Sequence, residues 1–163
     1  MRYAKVLVSA AVSIAIMIVI FSFSGQDSGQ SNSLSDRISA WLVSIFVSGF
    51  DSMASVERQW WISAISYPIR KIAHATEYAI LSASLVMTCW QASMLRSEAA
   101  PNDTARKQRN ARVCICAFLI TVLYACTDEI HQLFIDGRSG QISDVFVDAG
   151  GALIAWLVAF VVL

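Results

Sequence analysis

The segment 113–132, VCICAFLITVLYACTDEIHQ, begins as an apolar run and ends in two acids, a histidine and a glutamine. An apolar run of this length is typical of a helix that crosses a bilayer. Titratable side chains are costly inside a bilayer, and membrane proteins keep them mainly where they pair or act. The segment therefore predicts a membrane helix whose end, with Asp128, Glu129, His131 and Gln132, contributes to a functional cluster.

The composition agrees with a membrane protein. Of 163 residues, 56% are hydrophobic and 15% are charged, which is too apolar for an ordinary soluble domain. Twelve basic and twelve acidic residues balance each other, so the overall charge gives no indication of a nucleic-acid partner. The cysteines lie in or beside apolar runs and match no zinc pattern. We predict an all-α polytopic membrane protein with a single domain, 1–163.

Four apolar runs predict four transmembrane helices. Their expected limits are about residues 6–23, 68–90, 113–132 and 143–163. The first run has an alternative interpretation as a cleaved signal peptide, because the small residues of Ser22-Phe23-Ser24 follow it. The second run is expected to begin at Pro68, since a proline costs little where the first helical amides are unpaired. Along the fourth run, Gly151, Ala155 and Ala159 form a small-residue stripe that favours close helix packing.

The outer loop, 24–67, contains one more predicted helix. It begins with a stretch rich in serine, glycine and glutamine, which is typical of a flexible segment. Ser33 and Asp36 are then spaced as a capping pair, and apolar residues recur at helical spacing from Leu34 onward. The other face is too polar to cross a bilayer, so we expect an amphipathic helix that lies in the interface.

The polar linker, 91–112, sets the predicted orientation. Its basic residues outnumber its acids, and they are Arg96, Arg106, Lys107, Arg109 and Arg112 against Glu98 and Asp103. The positive-inside rule places this loop in the cytoplasm, and Arg2 and Lys5 place the N-terminus on the same side. Four spans then return the C-terminus to the cytoplasm. The expected location is a membrane, which the chain crosses several times with both termini in the cytoplasm.

In this topology the unusual polar residues converge on the outer side. They comprise three cations and five carboxylates: Arg70, Lys71, Arg138, Glu77, Asp128, Glu129, Asp144 and Asp148. Each isolated charge costs roughly 2.5 to 3.5 kcal/mol at mid-bilayer, so the excess of two negative charges requires relief. Protonated carboxyl groups, charged His74 and His131, a bound cation or a cationic ligand group would each provide it. A purely structural network of ion pairs is the alternative interpretation of the cluster.

At these residues the sequence resembles the VanZ-like family of small bacterial membrane proteins. Three segments carry the resemblance: Phe21-Ser22 with Gln26, residues 70–81 (RKIAHATEYAIL), and residues 128–140 (DEIHQLFIDGRSG) with Asp144-Val145 and Asp148-Ala-Gly-Gly151 after it. One departure is Asp136, where many members have a proline before the Gly-Arg pair. The family takes its name from a member associated with resistance to the glycopeptide teicoplanin. The resemblance implies a role at the cell envelope but supplies no reaction.

The leading hypothesis is that the outer cluster binds a lipid-linked or surface precursor of the envelope, or a glycopeptide-related ligand. Binding would lower teicoplanin susceptibility. Basic side chains suit phosphate or carboxylate groups, and arginine suits them best through its two-pronged fork. The predicted ligand-binding set adds neutral and acidic side chains to the basic ones: Arg70, Lys71, Arg138, Gln132, Ser24, Gln26, Tyr78, Asp144 and Asp148.

An enzyme of the outer leaflet is the second hypothesis. Carboxylates in different surroundings beside histidines suit acid–base chemistry, and the candidate catalytic residues are Glu77, Glu129, His74, His131 and Asp128. The patterns HxxE and DExH contain metal-ligand residue types but match no named zinc signature, so the sequence does not decide whether a metal or other cofactor binds. A transporter or flippase is the third hypothesis, and with only four spans it would require an oligomer.

Overall fold

The computed structural model describes residues 2–96 and 102–162 of the chain. Within these two ranges the protein is helical and contains no strand, which confirms the predicted all-α class. The helices are α1 (Arg2–Ser24), α2 (Ser28–Phe46), α3 (Ser55–Arg96), α4 (Asp103–Gln132) and α5 (Ile142–Val162), with a short 3-10 helix at Phe50–Ser52.

Four of these helices, α1, α3, α4 and α5, are long and apolar enough to cross a membrane. Large apolar side chains such as Leu7, Ile18, Leu123 and Leu157 lie exposed on their outer faces. Exposed apolar surface of this extent suits lipid rather than water as the surrounding solvent. The structure thus confirms four helices able to span a membrane, while the limits of each span within the bilayer stay predictions.

Helix α3 is the longest element and differs from its predicted start. Its 42 residues extend for about 63 Å at 1.5 Å per residue, roughly twice the thickness of a bilayer core. The helix begins at Ser55 and continues through Pro68, so the expected start at Pro68 is wrong. Helix α2 packs along α3 and bonds to it on both sides of the proline, through Ser66 and Arg70, which holds the two segments in line.

Helix α2 also begins earlier than the sequence indicated. Its first residue is Ser28, so Ser33 lies inside the helix and the predicted Ser33–Asp36 capping pair is wrong. The carbonyl of Asp27 accepts a 3.1 Å hydrogen bond from the amide of Ser31, which closes the first helical turn there. Inside the helix, Asp36 instead accepts a hydrogen bond from Ser66 of α3. The residues predicted to form a flexible exit from α1 are therefore largely helical.

The polar linker is shorter than predicted because helix occupies both of its ends. Helix α3 continues to Arg96, and α4 begins at Asp103 rather than near Val113. The side chain of Asn102 accepts a hydrogen bond from the amide of Ala105 and caps α4, which explains the early start. Glu98 lies outside the described residues, as does the side chain of Arg96.

Helix α3 is the centre of the bundle, because α1, α2, α4 and α5 all pack against it. Tyr78 and Leu81 of α3 are fully buried in the core. Hydrogen bonds within the bundle add to this packing. Ser13 of α1 bonds Ser84 of α3 at 2.6 Å, and the Tyr124 hydroxyl of α4 donates to the Met17 carbonyl of α1 at 2.6 Å. Such interhelical bonds suit an apolar surrounding, where water cannot replace them.

Helices α3 and α5 are in close backbone contact at Gly151. A Cβ atom at this position would overlap the backbone carbonyl of Ala75, so only glycine permits the observed contact. Ala155 and Ala159, the other members of the predicted small-residue stripe, line an apolar groove of about 310 Å³ between the same two helices. The close contact at Gly151 fixes the start of α5 against the titratable part of α3.

Candidate functional site

Two cavities adjoin at the end of the bundle where α4 turns into α5. The helix cavity, of about 140 Å³, lies among α1, α2 and α3. The turn cavity, of about 240 Å³, lies beside the turn at residues 133–141. Arg70, His74 and Arg138 line both cavities. These three side chains therefore form the shared wall on which the candidate site is built.

Two arginines on this wall form no direct ion pair with a carboxylate of the described residues. Nη1 of Arg70 donates a 2.7 Å hydrogen bond to Oδ1 of Asn32, and Nε of Arg138 donates a 3.1 Å bond to the carbonyl of Gln26. Neither guanidinium lies within ion-pair distance of a carboxylate in the described parts of the chain. Burial is the largest cause that lowers the pKa of Arg138, and the positive charge of Arg70 lowers it further, whereas the carboxylates of Asp128, Glu129 and Asp144 act in the opposite direction. An anion between the two side chains would offset that repulsion.

Lys71, the third cation, is already paired. Its ammonium group forms an ion pair with Asp144 at the start of α5, and it also lies 5.0 Å from the centre of the Tyr67 ring. Both partners of the ion pair are largely buried, with 19% and 16% of the side chains exposed. Lys71 therefore joins α3 to α5 at the edge of the turn cavity and contributes less free positive charge than the arginines.

His74 and Asp148 meet across the same pair of helices. Nδ1 of His74 lies 3.8 Å from Oδ1 of Asp148, which is fully buried. Neither carboxylate oxygen of Asp148 forms a hydrogen bond with any described residue, and the same holds for Nδ1 of His74. Buried polar atoms without partners are rare in proteins and indicate a place for water, a ligand or a catalytic role.

Three more buried polar atoms near the cavities lack hydrogen-bond partners within the described ranges. They are the hydroxyl oxygens of Ser24 and Tyr78 and one carboxylate oxygen of Asp128. Ser24 and Asp128 line the helix cavity, and the Tyr78 hydroxyl lies close to Asp128 behind them. Together with His74 and Asp148, these groups make the interior of the cluster polar but incompletely hydrogen-bonded.

Glu129 has a different environment from Asp128. One of its oxygens accepts a 2.8 Å hydrogen bond from the backbone amide of Gln141, and the other accepts a 3.3 Å bond from Gln132. The Gln132 side chain also donates to Asp128, so it bridges neighbouring carboxylates. Glu129 is buried and lines neither cavity, so its contacts hold the turn between α4 and α5 in place.

His131 faces α1 rather than the cavities. Its ring stacks on Phe21, with the ring centres 4.2 Å apart and the planes inclined by 25°. Its Nε2 atom would lie 3.6 Å from a Cβ atom built on Gly25, so the end of α1 packs closely against it. These contacts indicate that His131 joins α1 to α4.

The comparison with protein families agrees with the whole architecture. Residues 9–163 match the family profile described as VanZ/LLP1. The chain belongs to the VanZ/LLP1 family. No curated protein and no solved structure gave a significant match. Together with its spanning helices, membership identifies a multi-pass membrane protein.

Ten of the fourteen site residues predicted for this VanZ/LLP1 protein line one or both cavities. The helix cavity has Ser24, Gln26, Arg70, His74, Glu77, Asp128 and Arg138, and the turn cavity has Arg70, Lys71, His74, Gln132, Arg138 and Asp144. The remaining four are Tyr78, Glu129, His131 and Asp148. Tyr78 and Asp148 lie directly behind cavity-lining side chains, whereas Glu129 and His131 are engaged in contacts between secondary-structure elements.

Several residues at the VanZ/LLP1 site were not predicted from the sequence. Asn32 holds Arg70, and Gln141 lines the turn cavity while its amide bonds Glu129. The apolar wall of the helix cavity includes Leu34 and Ile38 of α2. A usable signal was present for α2, because Asp27 followed three residues later by a glutamine is a capping-box pattern. That start places Asn32 on a helix beside α3.

In the described ranges, no group of three or more histidine, cysteine, aspartate or glutamate side chains is arranged to hold a metal ion. The carboxylates of this VanZ/LLP1 site are instead distributed between Lys71, His74, Gln132 and the amide of Gln141. The arrangement provides cationic and hydrogen-bonding groups for an organic or phosphate-bearing ligand.

Proposed function

We propose that this VanZ/LLP1 protein binds an anionic group of a cell-envelope precursor or glycopeptide-related ligand, with Arg70 and Arg138 as its anchors. The observation that carries the proposal is the position of these guanidinium groups on the wall shared by both cavities, without a carboxylate partner in the described chain. Guanidinium groups bind phosphate and carboxylate through paired, charge-assisted hydrogen bonds. Binding would lower susceptibility to teicoplanin.

The proposed orientation places the cavities on the outer face of a bacterial cytoplasmic membrane, where envelope precursors are displayed. The positive-inside rule supports it. Arg2 and Lys5 lie at the beginning of α1, and the basic residues of α4 lie in its first part, at the end of the bundle remote from the cavities. Both termini would then be cytoplasmic.

Other side chains would add specificity to this anchor. The buried Ser24 hydroxyl lines the helix cavity and lacks a partner in the described residues, so it is available to a polar group of the ligand. Gln132 lines the turn cavity with its amide nitrogen directed to Asp128 and Glu129. A sugar or peptide attached to the anion would meet the Gln132 amide.

Replacement of Arg138 by lysine tests the proposal. Lysine keeps the charge but loses the fork, and a hydrogen bond to a charged group contributes about 1.5 to 3 kcal/mol, so we expect Arg138→Lys to bind inorganic phosphate about tenfold more weakly or worse. Isothermal titration of the purified protein in detergent measures this. Arg37→Lys is the matched control, because Arg37 is exposed on α2 and lines neither cavity.

Cells that express each variant at matched membrane levels provide the second readout. Arg138→Lys should lose most of the shift in teicoplanin susceptibility, while Arg37→Lys should retain it. If Arg138→Lys binds phosphate as tightly as the wild type, Arg138 is not the anchor and the proposal fails.

A second candidate function is acid–base catalysis on the bound ligand. The observation in its favour is that His74, backed by the buried Asp148, shares the helix cavity with Glu77 and Asp128 beside the arginines. A histidine oriented by a carboxylate is a common acid–base arrangement. Mass spectrometry of lipid-linked and surface precursors from cells with the wild type or His74→Gln distinguishes the two functions. A chemical change seen only with the wild type supports catalysis, and identical pools with a shifted drug response support binding.

A further inference from the structure

We infer that the ligand is an amphiphile, an anionic lipid whose phosphate lies at Arg70 and Arg138, with its apolar chain in the helix cavity and its polar headgroup in the turn cavity. The inference rests on the proposed function and goes further, because it selects a lipid-linked ligand over a soluble or polymeric one. It is carried by the different chemistry of the two cavities and by the position of the arginines between them.

The helix cavity has an apolar wall. Ile20 and Phe23 of α1, Leu34 and Ile38 of α2, and Ile69 and Ala73 of α3 contribute to it. Glu77 and Asp128 also line this cavity beside the shared Arg70, His74 and Arg138, but most of the lining surface is apolar. An apolar cavity of about 150 Å³ binds a group as large as benzene, so the apolar side of a cavity of about 140 Å³ accommodates the first few carbons of a hydrocarbon chain.

The turn cavity is polar. Ser28, Asn32, Gln132, Ser139 and Gln141 contribute hydroxyl and amide groups to its lining, and Tyr67 adds a phenol. These groups suit a sugar or peptide headgroup, which requires many hydrogen bonds and little apolar contact. A ligand that fills both cavities must therefore change from apolar to polar where it passes the arginines, as a lipid phosphate does.

The hydrocarbon chain of a lipid can reach the helix cavity from the side. Helices α1 and α2 each pack along α3 but make few contacts with each other within the described chain, which leaves the cavity wall open between them. Phe23, Leu34 and Ile38 at this opening are 45%, 47% and 42% exposed. Apolar side chains exposed beside a cavity suit the passage of a hydrocarbon chain between the bilayer and the site.

The test compares ethyl phosphate with hexyl phosphate, which share a headgroup and differ by four methylenes. Each buried methylene contributes up to about fourfold in affinity, so we expect hexyl phosphate to bind the wild-type protein at least about tenfold more tightly. Isothermal titration in detergent, corrected for partition into empty micelles, measures both constants. Hexanol, which lacks the anion, should not compete at the same concentrations.

Ala73→Phe fills the helix cavity from an exposed position on α3. This variant should lose the preference for the longer chain and bind hexyl phosphate no more tightly than ethyl phosphate. Ala64→Phe is the matched control, because Ala64 is exposed on the same helix and lines neither cavity. The chain-length comparison on the wild type needs no variant, so misfolding of Ala73→Phe would not prevent a result.

The outcomes separate the inference from the function it rests on. Equal affinities for ethyl and hexyl phosphate would overturn the amphiphile inference while anion binding at Arg138 stands. Competition by hexanol as strong as that by hexyl phosphate would also overturn it, because recognition would then depend on the chain alone. Unchanged phosphate binding by Arg138→Lys would overturn the proposed function itself.

Discussion

Nδ1 of His74 lies 3.8 Å from Oδ1 of Asp148, beside the close contact of α3 and α5 at Gly151. The distance is longer than a hydrogen bond and within the range of an electrostatic interaction. It depends on Gly151, one turn after Asp148, because that glycine lets α5 approach the backbone of α3 at Ala75. The geometry of the candidate site therefore depends on a helix contact that contains no titratable group.

Gly151→Ala should test this dependence. The Cβ atom of the alanine would overlap the Ala75 carbonyl, which is part of a rigid helix. We therefore expect the free energy of unfolding to fall by about 1 to 3 kcal/mol. The separation of α3 and α5 should also weaken phosphate binding. Equilibrium unfolding in mixed micelles, followed by tryptophan fluorescence, measures the stability.

The adjacent Gly150 provides the control for that experiment. A Cβ atom there meets nothing within 4 Å outside its own helix, so Gly150→Ala should leave stability unchanged or raise it by up to about 1 kcal/mol. If the two alanine variants behave alike, close packing at Gly151 does not hold the site together.

The ion pair between Lys71 and Asp144 should stabilise the same helix contact. A double-mutant cycle with Lys71→Met and Asp144→Asn measures its coupling energy, and we expect about 1 to 3 kcal/mol for two partners this well buried. The pair of Arg106 and Asp103 is the control, because it is far more exposed and should show no measurable coupling. Equal coupling in both cycles would argue against a structural role for Lys71.

The four spanning helices were predictable because a bilayer requires long apolar runs, and such runs are visible in the sequence. The start of α3 was not predictable, because Pro68 is normally a helix-start signal. Only the contacts with α2 on both sides of the proline explain why the helix continues through it. Local sequence contains no information about a neighbour that is distant along the chain. The early start of α2 did have a local signal, the capping-box pattern that begins at Asp27, but the role of Asn32 depends on Arg70 and had none.

The residue types of the candidate site could be predicted from the sequence, but most of the hydrogen bonds between them could not. The i, i+4 and i+7 spacing of Arg70, His74 and Glu77 indicates one shared helical face, and all three line the helix cavity. The hydrogen bond from Arg138 to the carbonyl of Gln26 had no sequence signal, because any residue supplies a backbone carbonyl. The different environments of Asp128 and Glu129 likewise depend on the backbone amide of Gln141 in the following turn, which bonds Glu129.

Substitutions of Glu129 test whether its main role is structural, through the hydrogen bond with the Gln141 amide. A glutamine side chain in its place could still accept the hydrogen bond from the Gln141 amide, so Glu129→Gln should lose less than about 1 kcal/mol of stability, whereas Glu129→Ala should lose about 1 to 3 kcal/mol. Both values come from unfolding in mixed micelles. Teicoplanin susceptibility of cells that express Glu129→Gln should match the wild type. A folded Glu129→Gln protein without function would instead return Glu129 to the acid–base candidates.

Replacement of Asp148 should raise stability and reduce function, in contrast to replacement of Glu129. It is fully buried, and its oxygens have no hydrogen-bond partner in the described residues. Burial of a carboxylate without full hydrogen bonding is unfavourable, so the neutral amide of Asp148→Asn should raise the unfolding temperature. The same change removes the carboxyl group beside His74, so the effect of the protein on teicoplanin susceptibility should fall.

Asp51→Asn controls for the loss of one negative charge, because Asp51 is exposed in the 3-10 helix and lines neither cavity. It should change neither the unfolding temperature nor drug susceptibility. A lower unfolding temperature for Asp148→Asn would mean that the Asp148 charge stabilises the fold through its pairing with His74. A higher temperature with full function would mean that the buried carboxylate serves neither the fold nor the site. Only greater stability together with lost function fits a residue retained for its action on His74.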